Sequence, residues 1–147
     1  MAASTHGLSR YLLGFAAGFV AVLVFHQGML TLLHGVHFIS ASPFPIAATP
    51  PFGVPKIWSL AFWGGIWGLV FVLFECKFPR NLLAYLITAI VFGAIGPSLV
   101  AWFVVPALKG LPMGGGFHSA GVITALSVNG AWGLGTAIFL LATAGHR

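Results

Sequence analysis

The stretch from Leu82 to Val105, LLAYLITAIVFGAIGPSLVAWFVV, runs for 24 residues without a charged side chain. A helix rises about 1.5 Å per residue, so such a segment reaches about 36 Å. That exceeds the roughly 30 Å of hydrocarbon in a bilayer. Length and apolarity together predict a membrane-spanning helix. Three other segments meet the same test, from about Tyr11 to His34, about Ile57 to Phe74 and about Ser119 to Ala142. The chain therefore reads as an all-α integral membrane protein, a single membrane domain over residues 1–147 built as a bundle of four transmembrane helices. A transmembrane β-barrel would alternate polar and apolar residues, and these segments do not.

Composition agrees. Hydrophobic residues make up 59% of the chain and charged residues 5%, against about 25% charged in soluble domains. This excludes an ordinary water-soluble fold, and it excludes disorder, which needs low hydrophobicity and high charge. One acid, Glu75, stands against six Lys and Arg, a net charge of +5. Cations so few and so scattered make no nucleic-acid footprint. The single cysteine, Cys76, excludes an internal disulfide and Cys-pair redox chemistry. The first apolar stretch is longer than the roughly 7–15 residues of a signal-peptide core, and Pro43 after Ser40-Ala41-Ser42 makes a poor cleavage site. It reads as a span.

The cations orient the bundle. Arg10, Lys77, Arg80 and Arg147 share one side of a four-span chain, and Lys56 and Lys109 share the other. Both termini are expected in the cytoplasm, in a bacterial inner membrane. Glu75, close to Lys77 and Arg80, reads as a surface ion pair, worth little. On the outer side, SPFPIAATPPFGVP from Ser42 to Pro55 contains five prolines, which fix φ and remove donors, so an extended, stiff segment is expected. The second outer loop carries Gly114-Gly115-Gly116 and reads as a flexible connector or a cap over a cavity.

Spans two and four share G-x-W-G-L, at Gly65 to Leu69 and at Gly130 to Leu134. A duplicated helical hairpin would explain the match, as in membrane proteins built from parallel repeats. Small residues let helices approach closely in lipid. The packing candidates are Gly14 and Gly18 on span one, Gly64, Gly65, Trp67 and Gly68 on span two, and Gly130, Trp132 and Gly133 on span four. Trp58 and Trp102 read as interface markers. Gly96-Pro97 in span three predicts a kink near Ala94, with Ser98 as a local partner for the freed carbonyl.

Span one carries a polar arc in its second half. With His26 at zero, Gln27, Thr31, His34 and His37 fall at about 100°, 140°, 80° and 20° on a wheel of 100° per residue. Only Leu30 interrupts that arc. His118, at the start of span four, lies on the same side of the membrane, and Asn129 is expected to approach the first helix. His26, Gln27, Thr31, His34, His37, His118 and Asn129 form a candidate ligand site. Polar groups inside a span commonly face a bundle interior or a water-filled cavity. Imidazoles without carboxylate or thiolate suit Zn, Cu or Ni, with His34, His37 and His118 as candidate ligands. Neutral His with Gln and Asn also suits a quinone or lipid head group. A bis-His haem is the weakest form, since it needs two facing His at one depth. The competing structural readings are interfacial His34 and His37 and a core His26 bonded to a neighbouring carbonyl.

The motifs of kinases, hydrolases, P-loops and zincins do not occur, and no mid-span acid suggests proton coupling. Two functions follow as expectations. The first is a non-catalytic accessory, assembly or structural subunit of a membrane complex, its partners being the lipid bilayer and other membrane subunits or copies of itself. The second is a binding or transport module holding a metal, quinone or lipid head group at the outer His cluster. An enzyme ranks third.

Overall fold

The computed structural model describes residues 7–144. It is all-helical apart from one short hairpin. The four long helices are α1 (Leu8–Gly35), α2 (Lys56–Glu75), α3 (Leu82–Lys109) and α4 (Ser119–Ala144). Each is long and apolar enough to cross a membrane. The observed helices overrun the apolar windows at several ends, because a helix continues until a cap or a proline stops it. Asn81 starts α3 by accepting the Ala84 N–H at 3.1 Å, as N-cap residues do. Gly110, at φ 64°, ends α3, where a left-handed residue turns the chain out of the helix.

Helices α1 and α2 cross on glycine. A Cβ on Gly14 would meet the Gly68 carbonyl oxygen at 2.8 Å, and one on Gly64 would meet the Gly18 carbonyl oxygen at 2.7 Å. The reverse substitutions, at Gly18 and Gly68, would drive a Cβ into the facing carbonyls. Helices α3 and α4 cross the same way. There Gly93 faces the Asn129 carbonyl and Gly133 faces the Ala89 carbonyl. Close contacts of this kind are what joins helices in lipid, where the hydrophobic drive between them is lost. Gly65 packs under Phe15, and Gly130 lies in ordinary contact range of Ile90 and Ala94.

The two pairs join through larger groups. Trp132 of α4 donates its indole N–H to the Gly18 carbonyl of α1 at 2.9 Å, and Trp67 of α2 lies against Gly96 of α3. Phe71 is fully buried, edge-on to Phe78 and Phe92 with ring centroids 5.2 and 5.5 Å away. Edge-to-face pairs of this kind add to simple burial. Ala17, Val72, Tyr85, Ala89, Ala137 and Leu140 complete this half of the core.

Helices α1 and α3 each contain a wide turn, at Val22–His26 and Val100–Val104. Wide turns inside α-helices often occur at functional sites. The chain stays α-helical from Leu82 through Pro97 to Leu99, and its wide turn follows at Val100–Val104. The Ser98 hydroxyl accepts from the Asn129 amide.

The proline-rich loop is not simply extended. Ala48–Thr49 (β1) and Val54–Pro55 (β2) form a two-stranded antiparallel hairpin, with Ala48 opposite Pro55 and Thr49 opposite Val54. The Thr49 hydroxyl closes it by donating to the Val54 carbonyl at 2.6 Å. The proline ring geometry is kept, but local pairing bends the segment back on itself. In the second loop, Gly114 and Gly115 take left-handed φ values of 56° and 60°, which turn the chain tightly before α4.

Candidate functional site

The polar arc of α1 does not act as one group. Gln27 is fully buried. Its Oε1 accepts the backbone N–H of Phe44, in the proline loop, at 2.6 Å. Phe44 sits at φ 52°, an uncommon conformation for a bulky residue, and in this pose it places that N–H on Gln27. Gln27 therefore anchors the loop to the helix. Thr31 is exposed and returns its hydroxyl to the Gln27 carbonyl at 2.8 Å.

His26 is half-buried beside Gln27, with its Nδ1 at 3.3 Å from the Gln27 amide nitrogen. The roles in this contact follow from the neighbouring bond. A backbone N–H can only donate, so the Gln27 atom facing Phe44 is the oxygen. The amide nitrogen then faces His26 and can only donate. Nδ1 must accept, and the ring proton sits on Nε2. Metal ligation through Nε2 would move that proton to Nδ1, against another donor. The geometry suits His26 as a hydrogen-bond donor and opposes it as a metal ligand. Imidazole 15N shifts should show the Nε2–H form, and Gln27→Leu should release the ring to a mixture of tautomers. A predominant Nδ1–H form in the unaltered protein would contradict the bond.

His34 and His37 are exposed. His37 has a structural duty. At φ 58° it is the left-handed residue after α1, and the Phe38 N–H reaches back to the Leu33 carbonyl at 2.9 Å, the bond of a Schellman cap. His118 is exposed at the start of α4, with its Nε2 about where a Cβ on Gly116 would touch it, 3.4 Å away. Asn129 donates to the Ser98 hydroxyl of α3 at 2.9 Å and so bonds the third helix, not the first. Among the described residues, no three His, Cys, Asp or Glu side chains gather into a group that could hold a metal ion. The structure joins His26 with Gln27 and Thr31.

A second polar site lies at the opposite end of the bundle. Glu75 is 8% exposed and Arg10 4%. Arg10 donates through Nε at 3.0 Å and through Nη2 to the two carboxylate oxygens, and the Tyr85 hydroxyl donates to Oε1 at 2.7 Å. Glu75 is thus not in a surface pair with Lys77 and Arg80. The Lys77 ammonium instead stands 5.3 Å from the centre of the Phe74 ring. The cause is topological. The start of α1, the end of α2 and the start of α3 meet at one end of the bundle, and a carboxylate there is desolvated unless donors converge on it. Charge-assisted fork geometry is strong, so Glu75 ties three helices together. The Arg10 Nη1 atom is buried and has no hydrogen-bond partner among the described residues. The sequence did carry a signal for this site: the sole acid of a four-span chain ends the helix antiparallel to the one that Arg10 begins.

Between α1 and α4 runs an open apolar groove of about 200 Å³, lined by Val20, Val24 and Phe25 on one side and Gly135, Ile138 and Phe139 on the other. Its walls offer shape without polar recognition.

No family model matches the chain, and no curated protein or solved structure matches it either. The functional reading rests on the geometry alone.

Proposed function

We propose that the protein is a non-catalytic accessory, assembly or structural subunit of a membrane complex, seated in a bacterial inner membrane with both termini in the cytoplasm. One observation carries the reading. The polar side chains within the bundle join its own helices, in Arg10 with Glu75 and Tyr85, Asn129 with Ser98, and Trp132 with the Gly18 carbonyl. Chemistry on a bound substrate would need such groups turned toward a ligand. The outer faces, meanwhile, present large apolar side chains such as Leu12, Trp63, Leu83, Ile87 and Ile123, which suit lipid or a partner helix. Lys77 and Arg80 at the Glu75 end favour that end as cytoplasmic.

The bundle also fits a duplicated hairpin. Helices α1 and α3 are each 28 residues long, each has a wide turn, and each ends on a left-handed residue. Each crosses its following helix on small residues, and Trp67 and Trp132 occupy equivalent places in that following helix. Extraction in a mild detergent, followed by native mass measurement, tests the subunit reading. Companion subunits at fixed stoichiometry are expected. A lone monodisperse monomer, extracted from its own membrane, would overturn it.

The donor state of His26 favours one form of the second reading. A binding module at the outer end would recognise a hydrogen-bond acceptor, such as a quinone carbonyl or a lipid head group, in preference to a metal.

A further inference from the structure

The proline hairpin is apolar where a loop at a helix end would ordinarily be polar. Phe52 is 88% exposed, Ile46 81% and Phe44 50%. Between Phe38 and Pro55 there is no charged residue. Exposed groups of this size mark an interaction surface. Its backbone chemistry says which. Polar backbone is costly in a low-dielectric region unless it is bonded internally. Here five N–H groups are absent because the residues are prolines. The Phe44 N–H is held by buried Gln27, and those of Gly53, Lys56 and Ile57 by the carbonyls of Thr49, Ala47 and Pro45, all at 2.9 Å. A loop that lacks five donors, holds those of Phe44 and Gly53 internally and turns aromatic and aliphatic groups outward suits the boundary between head groups and acyl chains.

The surrounding charge points the same way. Lys56, at the base of the hairpin, and Lys109, at the end of α3, are the cations at this end of the bundle among the described residues. The chain's sole acid, Glu75, lies at the other end. Lipid phosphates therefore meet cations and no carboxylate. Trp58, half-exposed in the first turn of α2, stands where interfacial tryptophans stand.

We infer that the hairpin from Pro43 to Pro55 is a membrane-interface apron, which seats Phe44, Ile46 and Phe52 in the head-group boundary of the leaflet that surrounds the bundle. The inference rests on the membrane-spanning reading above. Gln27 sets the depth of the apron, since its side chain fixes Phe44 to α1.

Spin labels on single cysteines, introduced at Ile46, Phe52 and Ile95 in a Cys76→Ser background, test this in phosphatidylcholine–phosphatidylglycerol vesicles. Collision rates with oxygen and with a water-soluble nickel chelate give the depth of each label. Ile95, half-exposed midway along α3, should read deep. Ile46 and Phe52 should read shallow but lipid-immersed, with oxygen collisions favoured over nickel. A deep label at Ile95 with nickel-accessible labels at Ile46 and Phe52 would overturn the apron and leave the membrane reading standing. A nickel-accessible label at Ile95 would overturn the membrane reading itself. Labels at Ile46 and Phe52 shielded from both reagents at high protein density, and released on dilution with lipid, would assign the surface to a second copy and overturn the lipid assignment.

Discussion

Replacing Gly18 by alanine is expected to destabilise the bundle by about 1–3 kcal/mol, the usual cost of overpacking, and replacement by leucine by more. The added Cβ would enter the Gly64 carbonyl, and the Gly68 Cα stands 3.0 Å from the same point. Both obstacles are backbone. A side chain could turn aside, but a helix backbone moves only if α1 and α2 separate along their length. Separation would also draw the Gly18 carbonyl from the Trp132 indole, whose N–H it accepts at 2.9 Å. Gly28 is the internal control, because a Cβ there meets nothing within 4 Å. Gly28→Ala should be neutral or gain roughly 0.5–1 kcal/mol from helix propensity. Reversible unfolding in mixed detergent micelles measures both. Equal stability of Gly18→Ala and Gly28→Ala would refute the close crossing.

The second large effect is at Glu75. Glu75→Leu should cost about 3–5 kcal/mol, because it leaves the Arg10 guanidinium buried and uncompensated. Arg10→Leu should cost a similar amount, by stranding the carboxylate. The double change to leucine should cost much less than the sum of the two, since well-packed apolar groups often replace a buried ion pair at little loss. Tyr85→Phe removes one neutral donor to the carboxylate, and about 1.5–3 kcal/mol is expected for a hydrogen bond to a charged group. A double-mutant cycle in the same unfolding assay reads the coupling directly. Single variants within about 0.5 kcal/mol of the parent would return Glu75 to the class of solvated surface pairs.

These two sites differ in how far the sequence alone revealed them. The four helices were legible because apolar length is a local property. Each segment carries its own evidence, as LLAYLITAIVFGAIGPSLVAWFVV does, and no knowledge of its neighbours is needed. The four-residue spacing of Gly14 with Gly18 and of Gly64 with Gly68 was equally visible. The facing carbonyls were not, since they depend on the height at which two helices cross. The equivalent crossing of α3 and α4 uses Ala89 and Gly93 against Asn129 and Gly133, and no repeated glycine pair announced it.

The polar arc of α1 shows the same division. The helical period put His26, Gln27 and Thr31 in one region, yet it could not say what they face. Gln27 was read as a ligand group, and the fold gives its oxygen to the Phe44 N–H, 17 residues along the chain. His37 was read with the arc, and it lies beyond the last turn, where the chain has left the helix. Likewise Glu75 was judged by its neighbours Lys77 and Arg80, while its partner is 65 residues away. By itself the sequence determined that four long helices form, each apolar enough to cross a membrane, and roughly where they lie, because hydrophobicity and helical rise act over a single segment. The tertiary structure alone decided which polar groups meet, because hydrogen bonds and ion pairs depend on distances between segments that no local pattern records.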